Sequence, residues 1–159
     1  MQPFDWPGAL TVTPIQIAVV TSALANGGYV YKPRLVLGTK KPNNDKIIRN
    51  NPEIINNMNW SDASLRSVRG GMRDVVMSPV GTGRFAGVPG LTMAGKTGTA
   101  EYGKKGEGNH YGWMIAFAPF DQPRYAVALV VDRAVSGGIT AAPIMKKIME
   151  SIIRVEQEQ

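Results

Sequence analysis

The sequence predicts an α/β fold of the α+β kind, an antiparallel sheet flanked by helices, and three observations carry that prediction. Apolar residues recur at helical spacing towards both ends of the chain, three β-rich runs stand together between them, and five residues, 120–124, separate the last two runs. Parallel strands need a crossover of a dozen residues or more, so this short link predicts a hairpin. The composition suits a packed core: 43% of the 159 residues are hydrophobic and 19% are charged, against the ~45–50% apolar and ~25% charged of ordinary globular proteins. That length is the size of one domain, and no internal repeat divides it.

The first helix is expected over residues 13–26. Thr13 is its N-cap, Pro14 suits the first turn, and Gly27 and Gly28 stop it. Its body from Ile15 to Leu24 is apolar almost all round, which predicts a buried helix. From Lys40 to Asn59 the chain is rich in asparagine and broken by Pro42 and Pro52. An irregular excursion is expected there, with one short strand around Ile47 and Ile48. A second helix is capped by Ser61 or Asp62, repeats Leu65, Val68, Met72, Val75 and Val76 at helical spacing, and ends at Ser78-Pro79. Gly70-Gly71 weakens it, so a close neighbour or a kink is expected at that point.

Three strands follow, over 91–100, 113–118 and 125–131, the second stopped by Pro119. The glycine-rich link 101–111 is expected to be mobile, with His110 a solvated side chain within it. Thr140 caps a last helix whose core face is Ile144, Ile148, Ile152 and Val155, with Lys146, Lys147 and Glu150 outside.

The formal net charge is +6, yet the basic residues never form a run longer than two. Charge spread in this way marks a solvated surface and predicts no nucleic-acid partner. There is no cysteine, which excludes disulfides and thiolate metal sites. The single His110 has no second histidine with which to share a metal, so no metal and no cofactor are expected. No stretch approaches the ~18 apolar residues of a membrane span. Residues 1–10 contain Asp5 and two prolines and do not read as a signal peptide. Any targeting segment is expected to lie outside this chain.

Residues 90–97, Gly-Leu-Thr-Met-Ala-Gly-Lys-Thr, fit the phosphate-loop pattern of nucleotide hydrolases letter for letter, and Val127–Val131 ends at Asp132 in the manner of the second motif of such proteins. A phosphate loop works because a strand enters it and a helix leaves it, aiming the helix N-terminus at the anion. Here the entry is Phe85-Ala86-Gly87-Val88-Pro89 and the exit is Gly98-Thr99-Ala100-Glu101, a poor strand and a poor helix. The other reading makes Lys96-Thr97-Gly98-Thr99 part of a strand. Side chains then alternate, with Thr97 and Thr99 on one face and Lys96 on the other. Two hydroxyls in register suit a carboxylate, Gly98 lets a peptide backbone approach, and an unpaired strand edge leaves amides free for a developing oxyanion.

The neighbouring segments favour the strand. Gly8-Ala-Leu-Thr-Val-Thr-Pro-Ile-Gln-Ile-Ala18, continuing through Ala23-Leu-Ala-Asn-Gly-Gly28, resembles the helix that follows the second active-site motif of class B penicillin-binding proteins. Gly71-Met-Arg-Asp-Val-Val76 with Gly81-Thr82-Gly83 resembles their approach to the Lys-Thr-Gly strand. Lys96-Thr-Gly-Thr-Ala100 resembles that strand itself, Gly112-Trp-Met-Ile-Ala-Phe-Ala-Pro119 the next one, and Ala141-Ala-Pro-Ile144 the start of the terminal helix. These patches stand in family order and resemble the elongation type of the family, penicillin-binding protein 2, with the division-type paralogue left open. The resemblance implies that residues 1–159 are the C-terminal part of a single transpeptidase domain, with a partial penicillin-binding/β-lactamase-like fold. It implies that Lys96 joins the hydrogen-bond network of the nucleophile. Thr97 and Thr99, with Gly98 between them, would hold the carboxylate of a peptidoglycan stem peptide or a β-lactam, and the Thr99 amide would be half of the oxyanion hole. His110 and Trp113 receive no role.

The family's nucleophile lies in Ser-x-x-Lys and its second motif is Ser-x-Asn. None of Ser22, Ser61, Ser64, Ser67, Ser78, Ser136 and Ser151 has the required lysine or asparagine downstream. This chain is therefore expected to contain no nucleophile and to be inactive by itself, as one part of a D,D-transpeptidase on the outer side of a bacterial cell membrane. The resemblance also implies a five-stranded sheet whose first two strands precede this chain. The strand 125–131 would then show an apolar edge, to be paired by the missing N-terminal half or by a second copy. Two rival readings are a nucleotide-binding domain built on Gly90–Thr97 and a non-catalytic β-lactam-binding or interaction module.

Overall fold

The computed structural model describes residues 11–42, 46–103 and 108–158. The opening decapeptide and the middle of the 101–111 link lie outside them, so the expected mobility of that link is not addressed there. In chain order the elements are α1 (Pro14–Asn26), β1 (Tyr29–Tyr31), β2 (Gly38–Lys40), β3 (Ile47–Arg49), β4 (Ile54–Asn57), α2 (Asp62–Met77), β5 (Ala94–Glu101), β6 (His110–Ala118), β7 (Tyr125–Val131) and α3 (Ala142–Gln157). A 3-10 turn, Arg84–Ala86, follows α2, and a π-turn, Gly137–Ala141, leads into α3. The predicted α+β architecture with an antiparallel sheet is the observed one. Its main sheet is β5-β6-β7, antiparallel throughout.

The start of α1 is set by a reciprocal cap. The Gln16 amide donates to the Thr13 hydroxyl, and the Gln16 side chain accepts from the Thr13 amide at 2.8 Å. Gly27, at φ 94°, ends the helix in the left-handed conformation that glycine adopts without steric cost. The expectation of a helix buried all round is corrected. Thr21, Ala23 and Ala25 are buried, but Ile15 and Val20 stand half in water. An all-apolar helix needs cover on both sides, and among the described residues β7, β6 and β1 cover one.

The single strand expected near Ile47 is one of four. β1 pairs with β4 and β2 with β3, both antiparallel, so residues 29–42 and 46–57 run side by side as a two-stranded ribbon. Lys32 N–H to Glu53 C=O and Asn50 N–H to Leu37 C=O, each 2.9 Å, join the two pairs. Adjacent Ile47 and Ile48, like Ile54 and Ile55, point to opposite faces, and all four are exposed.

The core is built on β6. Met114, Ala116 and Ala118 line one face and pack with Met145, Met149, Ala141 and Ala142 under α3. On the other face Phe117 packs with Ala94, Met72 of α2 and Ala25 of α1. Arg69 of α2 lies over the rings of Phe117 and Phe120, 5.3 and 5.4 Å from their centroids, and donates to the Phe120 carbonyl at 2.6 Å. This contact pins α2 to the end of the β6–β7 hairpin.

Two helical details differ from expectation. In α2, capped by Ser61, a Cβ on Gly70 or Gly71 would meet nothing within 4 Å, so no close neighbour accounts for that pair. In α3 the buried face is Ala142, Met145 and Met149, while Ile144 and Val155 are exposed. The predicted face is displaced by about one residue. Thr140 does not cap α3 either. Its hydroxyl accepts from the Val135 amide, and Ser136 caps the π-turn through the Ile139 amide.

Candidate active site

Among the described strands β5 pairs only with β6, so it forms one edge of the sheet. The ladder sets Thr97 opposite Met114, Gly98 opposite Trp113 and Thr99 opposite Gly112. Lys96 and Thr99 are exposed, and Thr97 and Gly98 are half-buried. Residues 96–99 thus lie together on an accessible strand, as the strand reading requires. His110, expected in a loop, is instead the first residue of β6, half-buried and opposite Glu101.

The phosphate-loop reading is corrected by the same strand. A helix would have to begin at Lys96-Thr97, but β5 runs straight through to Glu101. Gly90, at φ 78°, follows Pro89 in a tight turn closed by Leu91 N–H to Val88 C=O at 3.1 Å, the geometry that demands glycine at its third position.

Two other segments meet β5. Thr82, in the turn after α2, places its Oγ1 2.9 Å from Thr97 Oγ1. The Gly137 N–H, in the π-turn, donates to Thr99 Oγ1 at 3.2 Å. The Thr97 and Thr99 hydroxyls therefore share a face, as alternation predicts. A Cβ on Gly137 would stand 2.4 Å from both Gly98 O and Trp113 O and 2.9 Å from Gly98 N, so only glycine fits. These three atoms are crowded at one point, which places the main-chain groups of Gly98 between β5 and β6. In an antiparallel pair the residues on either side turn their N–H and C=O groups the other way. The Thr97 carbonyl does so, accepting from Lys96 Nζ at 2.6 Å, and Thr99 shares its orientation.

Sequence reasoning assigned no site role to Thr82, Gly137 or Gly138. The available signal was small: a threonine between two glycines, and a glycine pair ahead of the last helix. Further along the edge Tyr102 stacks on Tyr111 with ring centroids 4.2 Å apart and donates to the Asp132 carboxylate. That hydrogen bond holds the Tyr102 phenol above its usual pKa range. Among the described residues no group of three or more His, Cys, Asp or Glu could hold a metal. No helix there is long and apolar enough to cross a membrane.

Comparison with known proteins agrees with the strand. The family described as "Penicillin binding protein transpeptidase domain" matches residues 3–150. Stage V sporulation protein D of Bacillus subtilis is 37% identical over 88% of this chain and 22% of its own length. Peptidoglycan D,D-transpeptidase MrdA of Haemophilus influenzae is 31% identical over 90% and 24%. The chain thus spans about a quarter of the length of these relatives. Among solved structures, the D,D-transpeptidase domain of a peptidoglycan glycosyltransferase from Eggerthella lenta superposes with a TM-score of 0.80 at 27% identity, over 99% of this chain and 37% of that one. Penicillin-binding protein A of M. tuberculosis, as its imipenem acyl-enzyme complex, gives 0.74 at 30% identity, over 89% and 31%. With its open β5 strand, its Lys-Thr-Gly-Thr run and a family match across nearly its whole length, the chain belongs to the transpeptidase domain family of the class B penicillin-binding proteins.

Proposed function

We propose that this chain supplies the Lys-Thr-Gly strand of a D,D-transpeptidase that cross-links peptidoglycan stem peptides and reacts with β-lactams. The observation that carries the reading is the open edge of β5, where outward amides, two hydroxyls on one face and a lysine lie within four residues. A peptide ending in a carboxylate can lie along such an edge, its anion taken by the hydroxyls of Thr97 and Thr99. The Thr99 amide then faces the scissile carbonyl and stabilises the oxyanion that forms on attack. Gly98 adds no side chain to obstruct the approach.

No serine here carries the nucleophile motif, so the attacking hydroxyl and its base come from a preceding part of the same polypeptide. That part pairs with the edge of β7 and covers the exposed side of α1. Residues 1–159 are the C-terminal part of the domain, inactive by themselves. The domain works on the outer side of the bacterial membrane, anchored by a segment elsewhere in the polypeptide, and its role is in peptidoglycan synthesis, as the names of its D,D-transpeptidase relatives suggest.

Benzylpenicillin and peptide mass mapping test the reading. The complete polypeptide should form one covalent adduct on a serine preceding Met1, and residues 1–159 alone should form none. An adduct within residues 1–159, or none on the complete polypeptide, would reject it.

A further inference from the structure

The hydroxyls of Thr97 and Thr99 must both donate protons if they are to bind one anion. A hydroxyl has one proton and two acceptor lone pairs. The Gly137 amide occupies a lone pair of Thr99 at 3.2 Å and leaves the Thr99 proton free. Thr97 faces Thr82 oxygen to oxygen at 2.9 Å, and either can be the donor. If Thr97 donates to Thr82, its proton is spent inside the protein. If Thr82 donates, the Thr97 proton is released to the open edge.

Thr82 is held in place for this. The Gly83 N–H donates to the Val75 carbonyl at 2.9 Å, tying the turn to the end of α2. A Cβ on Gly81 would lie 2.2 Å from Val75 O, and one on Gly138 would lie 2.5 Å from Thr82 O. Glycines on both sides allow the main chain of this turn to be enclosed between α2 and the π-turn. The main chain of Thr82 is therefore held beside the strand, and its hydroxyl meets Thr97 Oγ1 there.

We propose that Thr82 is a positioning residue for carboxylate recognition: by donating to Thr97 it turns the Thr97 proton outward, beside the Thr99 proton that the Gly137 amide leaves free. The proposal rests on the reading of β5 as a carboxylate-binding strand. An anion at the edge favours this arrangement, because only then do both hydroxyls donate to it.

The test compares acylation of the complete polypeptide by benzylpenicillin and by its methyl ester, which keeps the lactam ring but has no carboxylate. Thr82→Val should slow reaction with the acid about tenfold, the scale of a hydrogen bond to a charged group, and leave the ester rate unchanged. Thr82→Ser should restore the acid rate. No loss, an equal loss on both compounds, or no recovery with serine would overturn the role of Thr82. Thr97→Val separates this outcome from failure of the underlying reading. If Thr97→Val shifts the acid-to-ester ratio and Thr82→Val does not, only Thr82 loses its role. If Thr97→Val leaves the ratio unchanged, β5 does not bind the carboxylate and both readings fall.

Discussion

The two edges of the main sheet, β5 and β7, have the same main chain and opposite side chains. Each pairs only with β6 among the described strands. From Gly95 to Thr99 β5 carries glycine, lysine and threonine, while β7 reads Tyr-Ala-Val-Ala-Leu-Val-Val. An edge strand offers unpaired N–H and C=O groups to any passing chain, and charge or small polar residues are what keep such an edge soluble. β5 therefore stays open in water and available to a short peptide. β7, half-buried along its whole length, has the composition of a strand that belongs inside a sheet. On the proposed function, one edge takes a transient guest and the other a permanent neighbour.

The sharpest way to break this contrast is at Lys96. Replacing it by alanine should lower acylation of the complete polypeptide by about 10²–10⁴-fold, the range for a group assisting proton transfer, with thermal stability little changed because the side chain is exposed. Stopped-flow reaction with a chromogenic β-lactam measures the rate, and an unaltered rate would remove the lysine from the site.

Next in size is the layer behind both edges. Met149 is 1% exposed and Ile144 is 37% exposed. Met149→Ala should cost about 2–5 kcal/mol by emptying packed space, and Ile144→Ala well under about 1 kcal/mol, near the usual range for exposed positions. Urea denaturation separates them, and the reverse order would restore the helix face expected from the sequence.

The smallest effect is expected at β7. Residues 1–159 alone should self-associate as concentration rises, and Val130→Lys should move that onset roughly tenfold higher, since charge on an edge discourages pairing. Size-exclusion chromatography reads both, and a native chain that stays monomeric throughout would contradict the assignment of β7 as a strand lacking its neighbour.

What could be read from the sequence follows from how local each cause is. The caps at Thr13 and Ser61, the stop at Gly27 and the limits of β7 depend on a few adjacent residues, and they stand where the sequence places them. The ribbon was largely missed because β1 and β4 pair across more than twenty residues of asparagine- and proline-broken chain. Nothing within either segment announces its partner. In α3 two stripes, Ile144-Ile148-Ile152 and Met145-Met149-Ile152, both keep helical spacing. Spacing alone does not choose between them; the small Ala116 beside Met114 on β6 leaves room that the longer methionines fill. In the candidate site, residues 96–99 can be picked out as one group because they are contiguous. Thr82 and Gly137 cannot, because their meaning lies in contacts made with a strand 15 and 38 residues away.

The two-stranded ribbon of residues 29–42 and 46–57 has a separate consequence. Its order comes mostly from its own main-chain bonds, since every side chain described from Ile47 to Met58 lies in solvent. Local opening of such a unit costs far less than global unfolding. Its amide protons should exchange while those of β6 stay protected, and a protease cutting after Arg34 or Arg49 would leave the main sheet and its β5 edge standing. Surface excursions of this kind accept inserted sequence with little penalty, which makes this segment the natural place for a tag or reporter that leaves the chemistry undisturbed.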